Sequence, residues 1–248
     1  MRYGPVRLIA GVALVAAAIG GAATGAAAQT VFRPTPSPWD GLYLGVHAGY
    51  GWGKNDVLED PANSSPYVGT GGNSWGYDTE GMLGGVHGGL NWESNRLILG
   101  LEAGLGYMAV EGDGPDPGSP GLDTIAAQGA GYYADVSARI GFAPDNMLYY
   151  MKAGVVFADL DWSVEDACTT GGCSTPDTIN AANDDIRSGW TAGVGVAYAV
   201  SQNASLRLEY AYYDLGTIRM TGAFGGTSYR WEQEVMLHTV TAGVSFMF

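Results

Sequence analysis

The sequence predicts an all-β fold: an eight-stranded antiparallel up-and-down transmembrane β-barrel with long extracellular loops and short periplasmic turns. Three observations predict it. Apolar residues recur at every second position in eight segments of about ten residues. Connections between these segments alternate between short and long, and aromatic residues collect at the segment ends. No stretch beyond the N-terminal leader shows sustained helical spacing.

The leader comes first. Met1 to Arg7 is a short basic start, Leu8 to Ile19 is an apolar run, and Ala26-Ala27-Ala28 offers a small-residue cleavage site. This three-part pattern reads as a secretory signal peptide over residues 1–28. Residues 29–40, with Pro34, Pro36 and Pro38, read as a stiff periplasmic lead-in. Residues 41–248 then form the barrel domain. Cleavage removes Arg2 and Arg7 from the 11 basic residues and leaves the 25 acidic ones, a net charge of −16. That balance excludes a nucleic-acid partner, which needs a basic face. The 15 Tyr and 7 Trp argue against disorder, and the 40 Gly lack a collagen period.

The eight segments follow in order. Leu42, Leu44, Val46, Ala48, Tyr50 and Trp52 share the first apolar face. Met82, Val86, Leu90 and Trp92 share the second, and Leu97 to Tyr107 at odd positions the third. Even positions from Ala130 to Phe142 make the fourth, and odd positions from Met147 to Phe157 the fifth. Even positions make the last three: Trp190 to Tyr198, Leu206 to Tyr212, and Val240 to Phe248. A tilted strand of about 9–11 residues crosses a bilayer. Residues 93–96, 143–146 and 201–203 read as tight turns, and 53–81, 111–126, 159–186 and 214–235 as long polar loops. The apolar faces carry almost no charge, so they suit acyl chains, and closing the sheet pairs the backbone as lipid requires. The outer-membrane lipid and lipopolysaccharide are the expected partners.

The opposite face points inward. It is rich in Gly, which lets a narrow lumen close around bulkier neighbours. It also holds Glu102, Asp135, Arg139, Lys152, Arg207 and Glu209. Buried charges are tolerated when paired, so these six are expected to form an ion-pair network that plugs the lumen. The alternative reading is a gate or selectivity filter. His47 and His87 are also inward, and read either as hydrogen-bonded filler or as ligands for a metal or haem. No nucleophile elbow and no clustered triad is present, so no enzyme is expected, and no cofactor.

The long stretches are acidic, with Glu111, Asp113 and Asp116 in one and Asp159, Asp161, Glu165, Asp166, Asp177, Asp184 and Asp185 in another. They read as solvated, mutually repelling loops. Cys168 and Cys173 suit a small disulfide loop in an exported chain.

Several motifs resemble a known family. Trp39-Asp40-Gly41-Leu42-Tyr43-Leu44-Gly45 resembles the first strand of the outer-membrane β-barrel (opacity-like surface antigen) family of alphaproteobacteria, small porin-like proteins. Gly189 to Gly195 and Leu206 to Gly216 are similar to its sixth and seventh strands, and His238 to Phe248 to its closing strand. The resemblance implies fold and outer-membrane location more than activity. It implies surface antigens, porin-like proteins, envelope-stabilising proteins or haemin binders. It also implies that the final strand, at Val240, Val244, Phe246 and Phe248, is an assembly signal for the barrel insertion machinery.

Overall fold

A computed structural model describes residues 37–60, 72–117, 124–166, 179–224 and 227–248. Eight strands form one closed antiparallel barrel, each bonded to its sequence neighbours, with the last returning to the first. They are β1 (Gly41–Glu59), β2 (Ser74–Ser94), β3 (Leu97–Pro115), β4 (Thr124–Phe142), β5 (Met147–Asp166), β6 (Ile179–Ala199), β7 (Ala204–Phe224) and β8 (Thr227–Met247). At one end the links are short. Asn95 and Arg96 both have positive φ, 52° and 68°, as a two-residue hairpin turn whose twist matches its strands demands. The register of β8 against β1 runs from Met247 opposite Tyr43 to Trp231 opposite Glu59.

The strands are 19–21 residues long, twice the expected segments. At about 3.3 Å per residue they run for roughly 60–70 Å, far beyond a bilayer's need. The stretches read as long loops are therefore mostly strand. Glu111 and Asp113 lie in β3, Asp159, Asp161, Glu165 and Asp166 in β5, and Asp184 and Asp185 in β6. Asp177, Cys168 and Cys173 lie outside the described residues, as does the leader.

The two halves of the barrel face different solvents. Next to the short turns the exterior is apolar, with Leu44, Val46, Leu99, Leu101, Met151, Val194 and Leu208 all exposed. Aromatic rings bound this band. Trp92, Phe142, Tyr149, Tyr198 and Phe246 lie at its lower edge, and Trp52, Tyr107, Tyr132, Phe157, Trp190 and Tyr210 at its upper edge. On β5 the rings of Tyr149 and Phe157 are eight residues apart, about 26 Å of strand, which at a tilt of about 40° is roughly 20 Å of height, somewhat under the ~25 Å apolar band of outer-membrane barrels. At the upper edge His238 accepts from or donates to the Tyr210 hydroxyl at 2.7 Å, and its ring stacks on Trp52 at 5.9 Å.

Above that edge the pattern reverses. Lys54, Asp56, Asp78, Glu80, Glu111 and Asp113 now point outward, and Val57, Trp75, Tyr77, Leu160, Trp162, Ile218 and Trp231 point inward. Water outside the upper half favours burying apolar groups within it. Bulges mark the change. The register shifts between Tyr107 and Val110 on β3, between Ala130 and Tyr133 on β4, and between Asp214 and Thr217 on β7. Gly216 takes φ +73° at the β7 bulge, a conformation that suits Gly. The β4 bulge corrects one expectation: Ala130 does not face lipid with Tyr132 but packs against the interior.

This facing makes a test. Val194 sits mid-strand on β6 between Met151 and Tyr210 on the exposed exterior. Val194→Arg is expected to lower the unfolding free energy in liposomes by about 2–4 kcal/mol. Thr217→Arg, exposed in the upper half opposite Glu234, is expected to change it by about 0.5 kcal/mol at most. Equal costs contradict the assignment of solvents.

Candidate functional site: the barrel interior

Inward side chains fall in layers along the barrel. The lowest is an apolar cap of Trp39, Ile98, Ala143, Leu148, Tyr150, Ala197 and Ala199, just inside the short turns. Trp39 precedes β1, and its carbonyl accepts from Asn91 Nδ2 at 3.0 Å.

The charged layer lies above it. Glu102 of β3 is its hub. Arg207 Nη1 is 2.8 Å and Arg207 Nη2 3.3 Å from the Glu102 carboxylate. Lys152 Nζ lies 3.2 Å and Arg139 Nη1 3.4 Å from the same group. Glu209 is the second anion. It pairs with Lys152 at 2.7 Å and with Arg207. Four strands, β3, β4, β5 and β7, thus converge on one cluster, and each of its five side chains is at least nine-tenths buried.

Asp135 does not join it. Its Oδ2 has no hydrogen-bond partner among the described residues. The reason is height: on β3, Asp135 is opposite Gly104, Ser137 opposite Glu102 and Arg139 opposite Gly100. Asp135 and Arg139 are therefore four residues, about 13 Å, apart along β4. The six-member network expected from sequence is a five-member one.

Two tyrosines that sequence reasoning did not single out complete the cluster. Tyr43 donates its hydroxyl to Glu102 at 2.8 Å and accepts from Arg139 at 2.8 Å. Tyr150 donates to Glu209 at 2.7 Å, and the Arg139 guanidinium lies 4.0 Å from the centre of its ring. Their signal was positional: both occupy inward positions on strands whose outward neighbours are lipid-facing.

The glycines make room for these groups. A Cβ on Gly89 would strike the Tyr43 ring, one on Gly195 the Tyr150 ring, and one on Gly45 the His87 ring. A Cβ on Gly100 would come within 2.9 Å of Arg139 Cγ. Small residues opposite large ones let eight strands close over charged side chains.

His47 and His87 form the next layer. Their Nδ1 atoms are 3.2 Å apart, so one ring donates to the other. His47 Nε2 is 2.6 Å from the Tyr133 hydroxyl, and His87 Nε2 is 2.8 Å from Ser245 Oγ. All four ring nitrogens are engaged, and among the described residues no cluster of three or more His, Cys, Asp or Glu is placed to hold a metal ion.

The uppermost layer is the large apolar core of the water-facing half, with Tyr213, Trp231, Ile218, Leu160 and Trp162 among its members. Its polar insert is Gln233, which donates to the Tyr77 hydroxyl at 2.8 Å and to Gln128 Oε1 at 2.5 Å. Burial holds the Tyr77 phenol above its usual pKa range.

The closing strand carries Val240 and Phe246 on the exterior, with Val244 half-buried, and Phe248 is exposed just past its end. Phe248 N donates to Leu42 O at 2.9 Å, tying this strand to the first.

Comparison with known proteins agrees with this architecture. The chain is 30% identical over 224 residues to a 31 kDa outer-membrane immunogenic protein of Brucella melitensis, covering 87% of this chain and 88% of that one. It is 28% identical over 190 residues to a 22 kDa outer membrane protein of Rhizobium leguminosarum, covering 76% and 69%. Among solved structures it resembles the outer membrane protein OprG from Pseudomonas aeruginosa, with a TM-score of 0.49 and 11% identity over 86% of this chain and 98% of that one. The model of the outer membrane protein beta-barrel domain matches residues 14–248. The chain belongs to that family of alphaproteobacterial-type outer-membrane β-barrels, and the outer membrane is its location.

Proposed function

We propose that this protein is a non-enzymatic structural and surface component of the outer membrane, a barrel whose lumen is closed to solutes and whose upper half displays an acidic exterior. One observation carries the reading: Glu102, Glu209, Arg139, Lys152 and Arg207 meet across the interior between an apolar cap and an apolar core. A solute crossing this path must part several buried ion pairs, each costly to break. Residues 1–28 act as the cleaved signal peptide. Outer-membrane lipid, lipopolysaccharide and the barrel insertion machinery are its partners, the last recognising Val240, Val244, Phe246 and Phe248.

A narrow porin-like channel is the second reading, supported by the inward polarity of the membrane half. A haemin or other ligand receptor has less support, because every nitrogen of His47 and His87 already has a protein partner. Planar-bilayer recording of the refolded protein tests the proposal. A flat baseline is expected at potentials up to the stability limit of the bilayer. Steady unitary steps that track protein concentration overturn it and favour the channel.

A further inference from the structure

The ion-pair cluster is not balanced. Three cations, Arg139, Lys152 and Arg207, face two carboxylates, Glu102 and Glu209. Asp135 lies about 13 Å along β4 from Arg139, on the side away from the short turns. The surplus positive charge therefore sits toward the short-turn end.

A cavity of about 20 Å³ lies at that end, and both arginines form part of its wall, with Trp39, Asn91, Ser205 and Ser245. The arginine side chains are only 5% and 6% exposed. Among the described residues the Nε–H of each finds no acceptor, and the indole N–H of Trp39 is likewise buried without a partner. All six of these wall residues carry a donor, against one unpartnered acceptor, Asn91 Oδ1, and a hydrogen-bond donor left unpaired in a buried place is costly. One water needs about 10–15 Å³ of such space, so the cavity takes a single small occupant rather than an organic molecule.

We propose that this cavity is a binding site for one monatomic anion of halide size, held between Arg139 and Arg207 beneath the ion-pair cluster. The ion balances the charge of the cluster and accepts from donors that the protein leaves unpaired. Its occupancy stabilises the folded barrel, because the unfolded chain has no such site. The site does not depend on whether the lumen conducts, and its test involves no current.

Bromide serves as the probe. Purified protein in detergent is unfolded by urea while sodium bromide replaces sodium gluconate at constant ionic strength, and crystals grown in bromide are measured at its absorption edge. The urea midpoint is expected to rise with bromide and saturate, with an anomalous peak between Arg139 and Arg207. Asn91→Asp provides the second arm. Asn91 and Arg139 flank Gly100 on adjacent strands, so this near-isosteric change tethers a carboxylate beside the site. The variant is expected to lose both the bromide dependence and the peak. A midpoint indifferent to bromide in the native protein, with no anomalous peak at the cavity, means that water alone occupies it and overturns the proposal.

Discussion

Glu102→Gln is expected to lower the unfolding free energy by about 3–5 kcal/mol, read from urea titrations in lipid vesicles with tryptophan fluorescence as the signal. The size follows from what the substitution leaves behind. Glu102 accepts from Tyr43 and faces Arg139, Lys152 and Arg207 within 3.4 Å. Glutamine is of the same shape but neutral, and its amide presents donors to groups that are themselves donors. Three buried cations then share Glu209 alone. Removing one partner of a buried pair costs far more than the pair contributes net, because the remaining charge cannot be rehydrated. Asp135→Asn is the matched control: a buried carboxylate at 5% exposure with, among the described residues, an unpartnered oxygen and no ion pair. It is expected to change stability by about 1 kcal/mol or less, in either direction. In the double variant Glu102→Gln, Arg139→Gln the net charge of the cluster returns to its native value, and a coupling energy of more than about 1 kcal/mol is expected. Equal losses for Glu102→Gln and Asp135→Asn would contradict the five-member cluster.

The membrane half was legible because lipid imposes one rule on one face. Every second residue from Leu42 to Trp52, and from Met147 to Phe157, is apolar and outward. Ion-pair membership was only partly legible. Inward parity identifies Asp135 as well as Glu102, but contact also needs equal height, and height depends on the stagger between strands. The upper half was illegible for a different reason. On β5 the apolar residues shift from odd positions below Phe157 to even ones, Leu160, Trp162 and Val164, above it. Read with a single solvent in mind, that shift breaks the pattern and suggests a loop. It is the same strand passing from lipid into water. On β4 and β7 the signal is hidden further. A bulge shifts the facing by one residue at the same level, so apolar residues stay even-numbered while they turn from outside to inside: Leu206 and Leu208 face lipid, whereas Ile218 and Met220 are buried.

That reversal has its own test, and it bears on how the molecule presents a surface. Trp231 of β8 is 1% exposed in the upper core, opposite Glu59 on β1 and Met220 on β7, with the Tyr229 ring stacked 6.4 Å away. Trp231→Ala is expected to destabilise the upper half by about 3–5 kcal/mol, through lost burial and the cavity that remains. Leu58 lies one position from Glu59 but on the outside, 45% exposed. Leu58→Ala is expected to cost about 0.5 kcal/mol at most. The two residues are equally apolar to a reader of the sequence, and only their facing separates them. The loss at Trp231 is also expected to be local. Below the upper aromatic edge the strands are held by lipid outside and by the Glu102 cluster inside, and neither touches Trp231. Limited proteolysis of the protein in vesicles should therefore cut Trp231→Ala above that edge about 10²- to 10⁴-fold faster than the native chain, as the weakened core opens more often. The heat-modifiable gel shift of the protected fragment should persist, because the membrane half remains a closed barrel. If the gel shift disappears together with protease resistance, the two halves fold as one unit, and the apolar upper core is then required for the barrel to stand in the membrane at all.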